Sequence, residues 1–203
     1  MKAKLLLTLL TSLGASALFA AESPQVGASA PDFSLMDTKG SMRSLADYKG
    51  KYVVLEWFNP ECPFVKKHYG SGNMQNLQEE YAGKGVAWLS IDSSAPGKQG
   101  HLTAQTGEKM IADWKMSNTT LLLDPEGKAG EAYGAKNTPH MFVINPARKI
   151  VYQGAIDSKA TANPADIKGA TNYVKAALDE TLAGKPVSNS NTKPYGCSVK
   201  YAQ

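Results

Sequence analysis

The sequence predicts an α/β fold in which helices flank a mixed central sheet. Two short, nearly continuous apolar runs, at residues 51–58 and 86–91, have the length and composition of strands covered on both faces. Helical patterns alternate with these runs, as expected of a layered α/β domain. The chain has 203 residues, 42% hydrophobic and 20% charged. This composition suits one globular domain and excludes fibrous, disordered and polytopic membrane proteins.

The first half of the chain is predicted from turn residues and helical spacing. The polar turn 37–40 separates two short apolar segments, which predicts a small hairpin ahead of the strand at 51–58. A helix is expected to begin at Pro63, because proline is well accommodated at a first helical position. The Gly-Ser-Gly segment 70–72 should interrupt this helix. A second helical pattern then continues to Gly83.

The second half of the chain follows the same rules. Residues 92–100, after the strand at 86–91, are polar and predict a loop. Apolar positions then recur at helical spacing near 101–115. The remaining elements are bounded by glycine, proline or polar turns: a strand at 120–123, a short helix at 129–133, a hairpin of strands 141–144 and 150–152, and a closing helix at 172–182.

The N-terminus has the layout of a secretory signal peptide. Lys2 and Lys4 precede an apolar run over residues 5–19, which is followed by two alanines and a polar segment. The run is short for a membrane-spanning helix, which needs about 20 residues. We therefore expect residues 1–21 to be removed, leaving a periplasmic or secreted protein without stable membrane insertion. An uncleaved N-terminal anchor is the alternative.

The charge of the mature chain predicts no nucleic-acid partner. The formal net charge is +4, from 22 basic and 18 acidic side chains. Removing Lys2 and Lys4 leaves 20 against 18, a net charge of +2. This excess is too small and too evenly spread for a nucleic-acid or anionic membrane surface.

The chain contains two cysteines, and the surroundings of Cys62 indicate a reactive thiol. Cys62 lies in a polar, proline-bounded turn, at the expected N-cap of the helix that begins at Pro63. Unpaired N–H groups and the positive end of the helix dipole favour a thiolate there, which lowers the pKa of a cysteine below about 8.5. The alternative is a buried, inert cysteine that happens to follow a strand.

The segment from Trp57 to Pro63, together with Thr138-Pro139 before a later strand, resembles the thioredoxin fold. Within that fold, the chain is similar to the peroxiredoxin-like redoxins of the AhpC/TSA type, over residues 26–184. The resemblance implies a thioredoxin-like three-layer sandwich for residues 24–184 and no cofactor. It also implies protein thiols or disulfides, or small thiol or peroxide substrates, as partners.

The motif around Cys62 differs from the motifs of both thioredoxins and peroxiredoxins. Thioredoxins carry Cys-x-x-Cys, whereas this chain has Cys62-Pro-Phe-Val65, so a vicinal disulfide cannot form. Peroxiredoxins place proline and threonine or serine seven and three residues before their peroxidatic cysteine. Leu55 and Asn59 occupy those positions here. The departure argues against efficient peroxide reduction.

The resemblance assigns roles to four further positions. Pro139 matches the family's cis-proline, so Thr138 and Pro139 would offer backbone to a substrate beside Cys62. Glu56 matches a buried acid that could shuttle the thiol proton, although a solvated edge position is the alternative. Trp57 matches an aromatic wall of the site, although a core position is the alternative. Pro63 completes the expected substrate-binding set.

Cys197 is the candidate resolving thiol. It lies in residues 185–203, expected as a flexible tail, 13 positions after Gly184. As a coil these residues span about 18–22 Å, and fully extended about 43–47 Å. The domain should be about 30–35 Å across, so the tail can return to Cys62. The pair could be a redox couple, a structural staple worth about 4–5 kcal/mol, or two independent thiols.

The function predicted from these residues is that of an exported thiol–disulfide oxidoreductase. Cys62 would attack, Cys197 would resolve, and no metal is expected. The alternatives are a peroxidase of unusual architecture and a non-catalytic copper-binding or redox-assembly module. His68 and His140 lie near the motif and are the residues a copper site would use. His101 is expected to cap a helix or face solvent.

Overall fold

A computed structural model describes residues 23–116 and 119–202, and it confirms the mixed sheet flanked by helices. The strands are β1 (Ser34–Asp37), β2 (Met42–Ser44), β3 (Val53–Trp57), β4 (Ala87–Asp92), β5 (Thr119–Leu123), β6 (Asn137–Thr138), β7 (His140–Ile144), β8 (Ile150–Gly154) and β9 (Cys197–Ser198). The helices are α1 (Pro63–Gly70), α2 (Asn73–Ala82), α3 (Ala104–Asp113), α4 (Lys128–Tyr133) and α5 (Tyr173–Leu182).

The main sheet has seven strands in the order β2-β1-β5-β4-β3-β7-β8. Strands β3, β4 and β5 pair in parallel, and the other neighbours are antiparallel. All five residues of β3 are buried, because this strand lies between β4 and β7 with packed layers on both faces. The smaller second sheet consists of β6 and β9.

Alternate residues of β3 point to two separate cores, which makes the domain a three-layer sandwich. Val54 and the following Phe58 pack with α1, α2, α3 and α5 on one face. Leu55 and Trp57 pack with α4 on the other. Cys62 belongs to the first core, so the candidate nucleophile lies on the face that carries most of the helices.

The predicted elements agree with the observed ones to within a few residues. The expected break between α1 and α2 occurs at Gly72, which has a φ of 77°, a left-handed conformation that glycine adopts without strain. Three features lie outside the prediction. Two are 3₁₀-helices, at Leu45–Tyr48 and Pro164–Gly169, and the third is the β6–β9 sheet.

The expectation of a flexible tail over residues 185–203 is corrected for its described part, because residues 185–202 pack onto the domain. The N–H of Thr192 donates to the Gln153 carbonyl at 3.0 Å, which fastens the tail to β8. The N–H of Ala95 donates to the Lys200 carbonyl at 2.8 Å, which fastens its end to the main domain. The polar composition suggested a solvated linker, but Ser188 and Thr192 of this segment bond groups of the domain.

The predicted signal peptide, residues 1–21, lies outside the described residues. In the part of the chain that the structure describes, no helix combines the length and apolar character needed to cross a bilayer.

Candidate active site

Cys62 caps the N-terminus of α1, as predicted. Its backbone is extended, with φ −73° and ψ 122°, and Pro63 occupies the first helical turn. Asn59 shapes the turn that leads there: its carbonyl accepts from the Cys62 N–H at 3.1 Å. Its side-chain oxygen accepts from the Glu61 N–H at 2.8 Å. The strand-to-helix turn therefore holds the sulfur at the positive end of α1.

The β6–β9 pairing brings Cys197 beside Cys62. Thr138 of β6 lies opposite Cys197 of β9 in the antiparallel register. The Cys62 thiol donates to the Thr138 carbonyl at 3.0 Å. Cys62 is 1% exposed and Cys197 is half-buried, and both are free thiols. Two cysteines 135 positions apart in the sequence thus flank the same residue.

The two thiols have opposite pKa shifts. Burial raises the pKa of Cys62, but a hydrogen bond from the Cys197 thiol and the nearby Thr138 hydroxyl outweigh it, so the pKa is lowered overall. The Thr138 hydroxyl has no hydrogen-bond partner among the described residues, so it is available to a thiolate. Burial and the charge of Cys62 raise the pKa of Cys197 to about 11. The first proton is therefore lost from Cys62.

Glu56 is fully buried on the face of the sheet that carries Cys62. Its Oε2 accepts from Tyr69 and Trp88 at 2.9 Å each and from Ser90 at 3.0 Å. Its Oε1 has no partner among the described residues. Burial raises the pKa of Glu56 to about 7, because the three hydrogen bonds compensate only part of the lost hydration. A carboxyl with this pKa changes its charge near neutral pH.

We expect Glu56 to make folding stability fall as the pH rises. The folded protein holds this proton up to about pH 7, whereas the unfolded chain loses it near 4.5. The contribution is complete below pH 4.5 and is lost as the pH rises through 7; a shift of this size corresponds to about 3 kcal/mol. Denaturant unfolding of wild type and Glu56→Gln at pH 4.5 and 8 measures it.

In this comparison, the free energy of unfolding of the wild type relative to Glu56→Gln should fall by about 3 kcal/mol between the two pH values. Contributions from other carboxyls, such as the buried Asp92, are common to both proteins and cancel. Parallel pH profiles for the two proteins would contradict the assignment of a raised pKa to Glu56.

Of the other predicted site residues, Thr138, Pro139 and Pro63 lie next to Cys62, whereas Trp57 does not. The Thr138–Pro139 bond is cis and lies next to Cys62. Pro63 directly follows Cys62 at the start of α1. Trp57 lies elsewhere: its ring is fully buried in the opposite core against Tyr133 and Phe142. Adjacent residues of a strand point to opposite faces, so Trp57 and Glu56 cannot both face Cys62.

The histidines near the motif do not form a metal cluster. Within residues 23–116 and 119–202, no three histidine, cysteine, aspartate or glutamate side chains come together as ion ligands. Burial lowers the pKa of His68 and of His140 to about 4 each. His140 stacks against Phe142 in the core opposite Cys62. His101 bonds the Ser94 carbonyl through Nδ1 at 2.8 Å.

Sequence reasoning did not find a buried polar cluster that joins α1 to the tail. Lys67, His68, Asp157 and Tyr195, hereafter the Tyr195 cluster, lie beside the site. The Lys67 ammonium is fully buried and 3.2 Å from the Asp157 carboxylate. The available signal was the tyrosine two residues before Cys197, an aromatic residue in an otherwise polar segment. Nothing in the sequence around Lys67 indicates that this lysine is buried.

Comparison with known proteins agrees with this architecture. The AhpC/TSA family profile matches residues 26–153. The thiol-disulfide oxidoreductase ResA of Bacillus subtilis (strain 168) is 31% identical over 156 residues, which cover 72% of this chain and 79% of ResA. The thioredoxin-like protein YneN of the same strain is 27% identical over 148 residues, covering 70% and 80% of the two chains.

Solved structures agree with the fold. The crystal structure of a hypothetical protein from Sinorhizobium meliloti 1021 has a TM-score of 0.78 and 27% identity, and the match covers 89% of this chain and 97% of that one. A putative thiol:disulfide interchange protein DsbE from Chlorobium tepidum has a TM-score of 0.60 and 24% identity, covering 79% and 99%. The predicted thioredoxin-like sandwich is confirmed.

Proposed function

The chain belongs to the AhpC/TSA family, and from that premise we propose that it is a thiol–disulfide oxidoreductase in which Cys62 attacks and Cys197 resolves. The observation that carries the proposal is the strand register. Cys197 lies opposite Thr138, whose carbonyl is 3.0 Å from the Cys62 sulfur. The similarity to a thiol-disulfide oxidoreductase at 31% identity supports the same chemistry.

The reaction proceeds through two exchanges. The Cys62 thiolate attacks one sulfur of a substrate disulfide, forms a mixed disulfide and releases the other sulfur as a thiolate. The Cys197 thiolate then attacks the Cys62 sulfur, forms the Cys62–Cys197 disulfide and releases the second substrate thiolate. The substrate gains two electrons and the protein dithiol loses two. An external thiol reductant returns the protein to the dithiol form.

The pKa order of the two thiols suits these roles. The lowered pKa of Cys62 provides the attacking thiolate. The pKa of Cys197 is raised partly by its interaction with a charged Cys62. Once Cys62 is bound in a mixed disulfide its charge is gone, so the pKa of Cys197 falls and the second attack becomes easier. Glu56 is proposed to take up the proton that Cys62 or Cys197 releases, because its pKa is near 7.

We further propose that the reaction takes place outside the cytoplasm, where disulfide substrates are common. The support is the sequence of residues 1–21, with its basic start and apolar run. The intact mass of protein recovered from a cell-envelope fraction checks this step, because cleavage removes those residues.

Reaction of the reduced protein with a chromogenic aromatic disulfide tests the roles of the two thiols. The wild type should release two aromatic thiolates in succession and end with an internal disulfide. Cys197→Ser should release one and keep the aromatic adduct on Cys62. Cys62→Ser should react at least tenfold more slowly, because the remaining thiol lacks the lowered pKa. Intact-mass and peptide mass spectrometry identify each product.

Two outcomes would overturn the proposal. If the wild type kept the aromatic adduct, Cys197 would not be a resolving thiol. If Cys62→Ser reacted as fast as wild type, Cys62 would not be the nucleophile. Hydrogen peroxide in place of the aromatic disulfide separates the peroxidase alternative. We expect Cys62 to stay reduced for minutes at millimolar peroxide, because Asn59 and Leu55 replace the motif residues of peroxidases.

A further inference from the structure

A continuous chain of hydrogen bonds joins α1 to the residue two positions before Cys197. The side-chain amide nitrogen of Asn73 lies 2.9 Å from His68 Nδ1. His68 Nε2 lies 3.3 Å from the Tyr195 hydroxyl, and that hydroxyl donates to Asp157 Oδ1. The Lys67 ammonium donates to Asp157 Oδ2 at 3.2 Å and to the Lys159 carbonyl at 2.9 Å. The middle of the chain is buried: the His68, Asp157 and Lys67 side chains are 0–2% exposed.

The chemistry of the groups fixes the direction of every bond. The Asn73 amide nitrogen only donates, so His68 Nδ1 accepts and the single proton of the neutral ring sits on Nε2. Burial keeps His68 neutral at ordinary pH, because it lowers the pKa to about 4. His68 Nε2 therefore donates a hydrogen bond to the Tyr195 oxygen, and the Tyr195 hydroxyl donates one to Asp157. The Tyr195 oxygen, at 3.3 Å, is a nearer acceptor for His68 Nε2 than Asp157 Oδ2, at 3.8 Å.

The tyrosine ring is held as well as its hydroxyl. Phe64, two residues after Cys62, packs on the Tyr195 ring with centroids 5.8 Å apart. The Lys67 ammonium lies 5.7 Å from the centre of the same ring. The contacts of Tyr195 therefore come from α1, the helix that Cys62 caps, and from Asp157. The position of Tyr195 is fixed relative to the attacking thiol.

Gly196 links Tyr195 to Cys197, and its position is fixed by a hydrogen bond. The Asn137 side chain donates to the Gly196 carbonyl at 3.0 Å, and Cys197 follows at once in the pairing with Thr138. Only Gly196 lies between Tyr195 and Cys197, and its carbonyl is itself held by a hydrogen bond. Loss of the anchor at Tyr195 would weaken the attachment of the segment next to Cys62, which is 1% exposed, so this segment would open more often.

We propose that Tyr195 is a positioning residue: the hydrogen-bond chain through His68 and Asp157 holds its hydroxyl, and this anchor keeps Cys197 beside Cys62 and the tail closed over both. The inference rests on the proposed role of Cys197 as the resolving thiol. It adds that a macromolecular disulfide reaches Cys62 only when the Tyr195 anchor opens.

Alkylation of Cys62 by iodoacetamide measures how often the tail opens. The parent protein is Cys197→Ser, in which Cys62 is the only thiol, and the variant adds Tyr195→Phe. This change keeps the ring and removes the hydroxyl. Loss of a hydrogen bond to a charged acceptor should speed alkylation of the thiolate by tenfold or more, because the buried sulfur reacts only from the open form. Rates measured across pH separate opening from a change in thiol pKa.

Tyr52→Phe in the same parent is the matched control. It removes a hydroxyl that donates to the Thr181 carbonyl at 3.0 Å, in α5 and not in the hydrogen-bond chain that holds Tyr195. Its alkylation rate should equal that of the parent. Thermal unfolding of both variants checks that neither loses the global fold. An unchanged alkylation rate in Tyr195→Phe, or an equal acceleration in Tyr52→Phe, would overturn the inference.

The aromatic-disulfide reaction separates this inference from the proposed function. In a Tyr195→Phe protein that keeps both cysteines, release of the second thiolate should be slower than in wild type. If the wild type itself failed to form the internal disulfide, the proposed function would fail, whatever the alkylation result. If the wild type resolved and Tyr195→Phe resolved at the same rate with unchanged alkylation, only the role of Tyr195 would fail.

Discussion

Replacing Asp157 with asparagine is expected to lower the free energy of unfolding by about 3–5 kcal/mol. Asp157 neutralises the Lys67 ammonium, and both side chains are almost completely buried. Removing the carboxylate charge leaves a cation in the interior whose described neighbours, the Lys159 carbonyl, the Tyr195 ring and the new neutral amide, carry no compensating charge. A buried charge without its counterion costs far more than the pair contributes when intact.

Thermal and denaturant unfolding of Asp157→Asn and of Asp179→Asn measure this effect. Asp179 also pairs with lysines, at 3.1 Å from Lys175 and 3.4 Å from Lys84, but all these side chains are more than 40% exposed. Surface pairs contribute about 0–1 kcal/mol, so the control should lose little stability. The loss in Asp157→Asn corresponds to a midpoint lower by about 6–20 °C, at about 2–4 °C per kcal/mol. Equal losses of stability in the two variants would contradict the prediction that the buried Lys67 ammonium needs the Asp157 carboxylate as its counterion.

The second large effect is expected from Gly196→Ala, which should slow the attack of Cys197 on a mixed disulfide by about 100-fold, equivalent to about 2.8 kcal/mol. A Cβ at this position would lie 2.1 Å from the Thr138 carbonyl oxygen, which is backbone and cannot swing aside. The φ of Gly196 is 117°, which adds strain for any other residue. Strand β9 must move away from β6, and Cys197 moves with it.

The rate at which the second aromatic thiolate is released measures this change directly. The first release, which depends on Cys62, should not slow, because the tail that covers Cys62 is loosened. Gly169→Ala is the matched control, since a Cβ there meets no atom within 4 Å. A normal second release in Gly196→Ala would mean that the β6–β9 pairing does not position Cys197.

The sequence was sufficient for the fold and for the position of Cys62 because both depend on local signals. The apolar run that became β3 and the break between the first two helices are each visible within about ten residues of chain. The position of Cys62 is local too, because a strand, a turn and a proline at the first helical position fix the N-cap. The cis bond before Pro139 followed from the resemblance and is present.

Other assignments needed the packed structure. Glu56 and Trp57 are adjacent in β3, and the resemblance gave both a place at the site. The pleat of the strand sends them to opposite faces, so Glu56 lies on the side of Cys62 and Trp57 does not. Which face of a fully buried strand carries the site cannot be read from a nearly continuous apolar run.

By itself, the sequence determined a thioredoxin-like sandwich with one cysteine at a helix start and a second cysteine near the end of the sequence. Only the tertiary structure decided that Cys197 lies beside Cys62 and that Tyr195 is anchored by Lys67, His68 and Asp157. The physical reason is that periodicity and capping act over a few residues. The pairing of β9 with β6 and the compensation of a buried lysine join segments that meet only when the whole domain has packed.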